Sequence, residues 1–124
     1  MPDIFISHSE RDRDAAQQLA SFLEGQGRSV WWDNQRASDE RNADAMAMLG
    51  SARAVIAIWS KSSLSSPFVL QQAIAARDAR KLVHTTRDVP QAQVPLGYDG
   101  PLLDVTDVLQ IALAVLPYCS SSNS

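Results

Sequence analysis

Cysteine is almost absent from this sequence, since Cys119 is the only one among 124 residues. A single cysteine cannot form an internal disulfide, and no partner cysteine, histidine or carboxylate cluster accompanies it to make a metal site. Such cysteine usage is typical of a reducing compartment. We therefore expect a cytoplasmic protein that contains no metal and requires no cofactor.

Long apolar segments and a strong charge imbalance are also missing. The N-terminal segment has only a short apolar run after the acidic Asp3, so it lacks the basic start and the long apolar region expected of a signal peptide. No segment approaches the roughly 18 apolar residues of a membrane span. The 11 basic and 14 acidic residues give a net charge of −3, with both signs interspersed in the first half. This balance favours neither nucleic acid nor a membrane as a partner.

The composition that is present indicates one folded domain. Apolar residues make up 45% of the chain and charged residues 20%, which is ordinary for a globular protein. A chain of this length can bury one core. The final segment, CSSSNS, is polar and low in complexity. We assign residues 1–117 to the domain and residues 118–124 to a polar tail or linker, and we expect the domain to belong to a longer protein.

Apolar runs alternate with helical periodicities along the chain. Strands are predicted at IFI (4–6), SVWWD (29–33), RAVIAIWS (53–60), KLVHT (81–85) and PLLDV (101–105). The third run has no polar alternation, which is typical of a strand covered on both faces and predicts the centre of a sheet. The apolar positions of the intervening and final helices are Ala15, Ala16, Leu19, Phe22 and Leu23, then Ala43, Ala45, Met46, Met48 and Leu49, then Leu70, Ala73, Ile74 and Ala76, then Val108, Ile111, Leu113 and Val115.

Residues typical of helix ends bound these segments. Gly25 and Gly27 are expected to end the first helix, and Ser66 with Pro67 to begin the third. Ser38 or Asp39 is expected to cap the second helix, and Asp104 or Thr106 the last, which is expected to run to Pro117. The charges of SERDRD, including Glu10 and Asp12, are interpreted as a solvated helix start.

The alternation of strands and helices predicts an α/β fold, a flavodoxin-like three-layer sandwich with a five-stranded parallel sheet. In such sheets ligands bind beyond the carboxyl ends of the strands, where the strand order reverses. That edge is expected to comprise residues 7–11, 33–38 and 59–63, with the helix that begins at Pro67 beside it.

Several of these segments resemble the sequence boxes of TIR domains. DIFISHSERD resembles the opening box, GRSVWWD the second strand, RAVIAIWS the third, and SSPFVLQQAIAARDARKLV the following helix and strand. VPLGYDGPLLDVTD is similar to the segment that leads into the last strand and helix. The resemblance spans nearly the whole chain in the right order and is closest to TIR domains of the bacterial type.

The resemblance implies one of two activities. Many TIR domains are signalling adaptors that associate with other TIR domains, and many hydrolyse NAD at the nicotinamide glycosidic bond, some forming cyclic ADP-ribose. The hydrolytic members carry a catalytic glutamate in a Trp-x-x-x-Glu pattern, which falls here on Phe68 and Gln72. A neutral amide cannot stabilise an oxocarbenium-like transition state by charge, so we expect Gln72 to leave the catalytic position inactive. Glu10 or Asp33 is the alternative source of that charge.

The resemblance also implies which residues contact a nucleotide such as NAD, as ligand or substrate. They are Ser7, His8, Arg11, Asp33, Trp59, Ser60, Phe68 and Gln72. For Trp59 simple packing is the alternative, and Gln72 could instead be a solvated helix residue or an engineered replacement of glutamate, although Phe68 argues against engineering. The loop from Asn34 to Asn42, which lacks the Pro-Gly turn of many bacterial relatives, is the expected surface for association with other TIR domains.

Overall fold

The computed structural model describes residues 3–32, 39–87, 89 and 102–119, apart from the side chains of residues 39–43 and 119. Its strands are β1 (Ile4–Ser7), β2 (Val30–Trp32), β3 (Ala54–Trp59), β4 (Leu82–Thr86) and β5 (Leu103–Asp104). Its helices are α1 (Arg13–Gly25), α2 (Asp39–Ser51), α3 (Lys61–Leu64), α4 (Pro67–Asp78) and α5 (Val108–Cys119), with a 3₁₀ turn at Glu10–Asp12 before α1.

All the strands lie parallel in one sheet, in the order β2-β1-β3-β4-β5. Strand β1 pairs with β2 on one side and with β3 on the other, so the strand order reverses between β1 and β3. All six residues of β3 are buried, as its continuous apolar run predicts. The predicted flavodoxin-like α/β fold is therefore confirmed.

Helices cover both faces of the sheet. On one face α1 and α5 pack over Ile4, Ile6, Ile56 and Ile58. On the other face α2 and α4 pack over Phe5, Val55, Ala57 and Trp59. Side chains alternate between the two faces along each strand, which explains why consecutive apolar residues are needed in β1 and β3. Within the described residues, no helix combines the length and apolar character needed to cross a bilayer.

Helix ends follow the sequence signals in most places. The Ser66 hydroxyl accepts a hydrogen bond from the backbone N–H of Val69, with Pro67 at the first position of α4, as predicted. Helix α1 ends in a Schellman motif with Gly27 at φ 88°, again as predicted. Helix α4 ends in the same motif, although Arg80 occupies the equivalent position at φ 59°. Arg80 thus holds a left-handed conformation that glycine adopts without steric cost.

Three sequence expectations about the helices are wrong. Leu113 and Ile74, expected on core-facing positions, are 57% and 39% exposed, because neighbouring apolar residues supply the buried faces of α5 and α4. The residue before α5 is Asp107, whose carboxylate accepts from the backbone N–H of Gln110, whereas the Asp104 carboxylate bonds to Thr106. Helix α5 continues beyond Pro117 to Cys119, and the short helix α3 was not predicted.

Candidate functional site

Gln72 lies on the buried face of α4. The buried residues of this helix are Val69, Gln72, Ala73 and Ala76, a spacing of three, four and seven residues that defines the face packed on the sheet. Gln72 is only 8% exposed. The interpretation of Gln72 as a solvated helix residue is therefore wrong, because the polar amide occupies a position that the helix period directs inward.

The amide of Gln72 is bonded to the end of β1. The Ser7 hydroxyl donates to Gln72 Oε1 at 2.6 Å, and Ser7 is itself 1% exposed. Ser7 is the last residue of β1 and pairs with Ala57 of β3, so this contact lies where the strand order reverses. Two of the predicted site residues thus meet at the carboxyl edge of the sheet, where α/β folds bind ligands.

A second polar cluster at this edge is centred on Asp12. Its carboxylate is 2% exposed; Oδ2 accepts from the Ser9 hydroxyl at 2.8 Å and from the Ser60 hydroxyl at 2.5 Å. Arg87 Nη1 lies 3.2 Å from Asp12 Oδ1 and 3.2 Å from Asp14 Oδ1. Both carboxylate oxygens of Asp12 are therefore engaged, and the expectation that Asp12 belongs to a solvated helix start is wrong.

The electrostatics of the cluster follow from these contacts. Hydrogen bonding to Asp12 and the nearby charge of Asp14 raise the pKa of Arg87, so the guanidinium stays charged. The pKa of the exposed Asp14 is lowered, first by the backbone N–H of Ala15 and then by Arg87. Asp12 is thus a buried carboxylate paired with a permanent cation and held by two hydroxyl donors, so it links the segments that follow β1, β3 and β4.

Ser60 connects this cluster to the start of α3. Its hydroxyl donates to Asp12 and accepts from the backbone N–H of Ser63 at 3.1 Å, while the Ser63 hydroxyl accepts from the backbone N–H of Ser60 at 2.7 Å. This is a reciprocal capping box. The predicted ligand-contacting role of Ser60 remains a prediction, and its hydroxyl already has both a donor and an acceptor partner within the fold.

Trp59, at the end of β3, is wholly buried. Its indole Nε1–H donates to Nδ1 of His84 at 2.9 Å, and the two rings stack with centroids 6.2 Å apart. The indole N–H can only donate, so Nδ1 of His84 is the acceptor of this bond. The placement of Trp59 favours the packing alternative, since its side chain lies within the core of Ala57, Val69 and Ala73.

The other described residues that were predicted to contact a nucleotide are His8, Arg11 and Phe68. His8 is half-buried beside Trp32, with Nδ1 2.8 Å from the carbonyl oxygen of Ser9, and its buried Nε2 has no hydrogen-bond partner among the described residues. Arg11 is exposed and Phe68 half-buried. Of the alternative acids, Glu10 is exposed, and Asp33 lies outside the described residues, as does most of the loop from Asn34 to Asn42.

Sequence reasoning placed Ser9 at the edge without a role, and it missed Asp12 and Arg87 as members of the edge. One signal was available, because Ser9 and Asp12 form the Ser-x-x-Asp pattern that often marks a helix start. Nothing local signals Arg87, which follows β4 and reaches Asp12 across 75 residues of sequence. Within the described ranges, no group of three or more histidine, cysteine, aspartate or glutamate side chains could hold a metal ion.

Comparisons with known proteins agree with this architecture. A family model described as the TIR domain matches residues 4–110. The TIR domain of the Toll-related receptor TRR-2 from the lower metazoan Hydra magnipapillata superposes with a TM-score of 0.67 at 14% identity, covering 98% of this chain and 94% of that one. The TIR domains of the activated Roq1 resistosome, which directly recognizes the pathogen effector XopQ, superpose with a TM-score of 0.63 at 18% identity, covering 94% and 74%. A comparison with curated protein sequences found no match.

Proposed function

This chain belongs to the family of TIR domains, and on that premise we propose that it is a signalling module of the bacterial type that acts by associating with other TIR domains. It works in the cytoplasm, within a longer protein, and its nucleotide pocket lacks the charge needed for NAD hydrolysis. The observation that carries the proposal is the buried amide of Gln72 at the position of the family glutamate, bonded to Ser7.

The chemistry of glycosidic cleavage makes this amide decisive. Loss of nicotinamide develops positive charge on the ribose, and a carboxylate stabilises that charge by its own charge and by accepting hydrogen bonds from hydroxyls. Gln72 offers a carbonyl oxygen, but that oxygen already accepts from Ser7 and carries no formal charge. Since a positioned acid or base contributes about 10²–10⁴-fold to such reactions, its loss severely lowers hydrolysis.

Among the residues that the structure describes, the acids near this edge do not provide a ready replacement. Asp12 is buried close to the ends of β1, β3 and β4, but its oxygens are occupied by Ser9, Ser60 and Arg87. A carboxylate whose charge is already balanced by a guanidinium has little charge left with which to stabilise a ribosyl cation. Glu10 is exposed on the 3₁₀ turn. These placements support a site that does not turn NAD over, whether nucleotide binding is retained or vestigial.

The test measures nicotinamide release from NAD and self-association with the same protein preparations. The chain as written is expected to release little or no nicotinamide. Its apparent molecular mass, measured by light scattering, is expected to fall on dilution. Gln72→Glu restores the carboxylate, and Gln71→Glu is its matched control, because it places the same charge on the exposed neighbouring position of α4.

The outcomes separate the adaptor from the alternative, a NAD glycohydrolase. Robust turnover by the chain as written would refute the adaptor function and favour the enzyme. Turnover gained by Gln72→Glu but not by Gln71→Glu would support the assignment of position 72 as the former catalytic site. Absence of any oligomer at high concentration would count against association as the function.

A further inference from the structure

Arg80 combines a strained backbone with a side chain that the fold does not use. Its φ of 59° lies in the left-handed region, where a side chain carries a steric cost that glycine avoids. Arg80 is exposed, and its guanidinium forms no ion pair or hydrogen bond with any described residue. Strained backbone positions are concentrated at functional sites, where a function offsets the strain. A function for this guanidinium therefore has to come from a partner.

The next residue, Lys81, is a cation that the fold does use. Its Nζ donates to the carbonyl oxygens of Leu49 and Ala52 at the end of α2, at 2.8 and 2.7 Å. A cation at a helix C-terminus interacts favourably with the carbonyl groups there. Arg80 makes no such hydrogen bond to the end of α4, so helix capping does not account for it.

The strand register places a second arginine beside Arg80. Val55 of β3 pairs with Leu82 of β4, so residues 53 and 80 lie at a similar level at the amino ends of these strands. Neighbouring strands are about 4.8 Å apart. Arg53 lies 3.7 Å from Asp3, but both side chains are partly exposed and solvent screens the pair. Two guanidinium groups are therefore presented side by side.

Basic residues outnumber acidic ones along this end of the sheet, which we call the basic edge. It comprises the charged residues at the amino ends of β1 to β4 and at the carboxyl ends of α1 and α4. The basic members are Arg28, Arg53, Arg77, Arg80 and Lys81, and the acidic members are Asp3, Glu24 and Asp78. The whole chain has a net charge of −3, so the sign of the charge is reversed at this edge. Such a local field attracts anionic partners.

We propose that the basic edge, centred on Arg80, binds a short segment of another protein that is rich in aspartate and glutamate. Guanidinium groups pair with carboxylates through two parallel hydrogen bonds. A short acidic segment meets only this edge, whereas a nucleic acid or an anionic membrane extends its charge further and meets the acidic remainder of the chain. The inference goes beyond the proposed function and does not depend on it, because the basic edge lies at the opposite end of the sheet from Gln72.

The test titrates the isotope-labelled chain with a hexaglutamate peptide and follows the backbone amide signals by NMR. The signals that shift are expected to be those of residue 53 and residues 77–81. The affinity should fall as salt is added, because exposed charges are screened over about 10 Å at roughly 0.1 M salt. A hexathymidylate oligonucleotide, which carries a similar charge, is the comparison and is expected to bind more weakly than the peptide.

The variant Arg80→Gly separates binding from stability. It removes the guanidinium and relieves the left-handed backbone, so the affinity for hexaglutamate should fall about threefold or more while the urea midpoint rises. A residue that served only the fold would not change these two quantities in opposite directions. Lys61→Gln is the matched control, because it removes the same charge from an exposed residue at the carboxyl edge and should change the affinity less than about 1.5-fold.

Each result bears on the inference. Equal losses of affinity in Arg80→Gly and Lys61→Gln would show a dependence on net charge alone and would overturn it. Shifts at the carboxyl edge, tighter binding of the oligonucleotide, or no shift at any peptide concentration would also overturn it, and none of these results bears on the proposed function. Arg80→Asn, which also tolerates the left-handed conformation, provides the same measurement should the glycine variant fail to fold.

Discussion

Replacement of Asp12 by asparagine is expected to destabilise the protein strongly. The substitution keeps the size of the side chain but removes its charge and replaces one oxygen with an NH₂ group that can only donate. If that group faces Arg87, it meets a cation that cannot accept a hydrogen bond. If it faces Ser60, it meets a hydroxyl that already accepts from the backbone N–H of Ser63. Neither orientation of the amide satisfies all the groups that now bond to the carboxylate.

The magnitude follows from the burial of these contacts. A hydrogen bond to a charged group contributes about 1.5–3 kcal/mol, and Asp12 accepts two from the buried hydroxyls of Ser9 and Ser60. The contact with Arg87 adds less, because the arginine side chain is 40% exposed and solvent screens the pair. We expect Asp12→Asn to lower the free energy of unfolding by about 2–4 kcal/mol, which corresponds to roughly 10 °C in the melting temperature of a domain this size.

The assay is urea unfolding followed by circular dichroism, with Asp14→Asn as the control. Asp14 lies at the same 3.2 Å from Arg87 Nη1, but its side chain is 66% exposed, so its loss should not change the urea midpoint measurably. A change below about 0.5 kcal/mol in Asp12→Asn, or equal changes in the two variants, would refute the view that burial rather than the ion pair makes the cluster stabilising.

Three further predictions concern single contacts. Arg80→Gly should raise the free energy of unfolding by about 0.5–1 kcal/mol by relieving the left-handed backbone, and a loss in urea unfolding would contradict this. Hydrogen bonds from Thr106 lower the pKa of Asp104, so they contribute stability above the unfolded pKa of 3.8, and this stability is lost as the pH falls through the folded pKa. The destabilisation caused by Thr106→Val, measured by urea unfolding, should therefore become smaller as the pH is lowered. A destabilisation that does not change with pH would contradict this. Gln72→Glu should lower the free energy of unfolding by about 1–3 kcal/mol at pH 7. Ser7→Ala should lower it more in the Gln72→Glu protein than in the original chain. Equal effects of Ser7→Ala in the two proteins, measured by a thermal double-mutant cycle, would argue against a contact between residues 7 and 72.

The sheet could be predicted from sequence because its signals are local. The continuous apolar run of β3 indicates burial on both faces, and Ser66 with Pro67 marks the start of a helix by chemistry that operates within one turn. Gly27 marks a helix end for the same reason, since the left-handed conformation is a property of one residue. These features depend little on the rest of the chain, and the structure confirms them.

The features that were predicted wrongly depend on residues that are distant in sequence. Helix α5 is apolar on nearly every side, so its period cannot distinguish Leu113 from Val115, and only the position of the sheet decides which is buried. Asp12 lies within a polar run, and its burial depends on Ser60 and Arg87, which are 48 and 75 residues away in sequence. A contact between such distant residues exists only once the strands have been ordered.

The position of Gln72 connects the stability of the fold with the proposed loss of NAD hydrolysis. An ionised carboxylate on the buried face of α4 would lie beside Ser7, and burying a charge there costs more than burying an amide. The amide removes that cost while keeping the hydrogen bond that joins α4 to the end of β1. A catalytic domain tolerates the charge because the reaction requires it. A domain that signals by association requires only that its helices stay in place on the sheet, and for that purpose the neutral side chain is the more stabilising one.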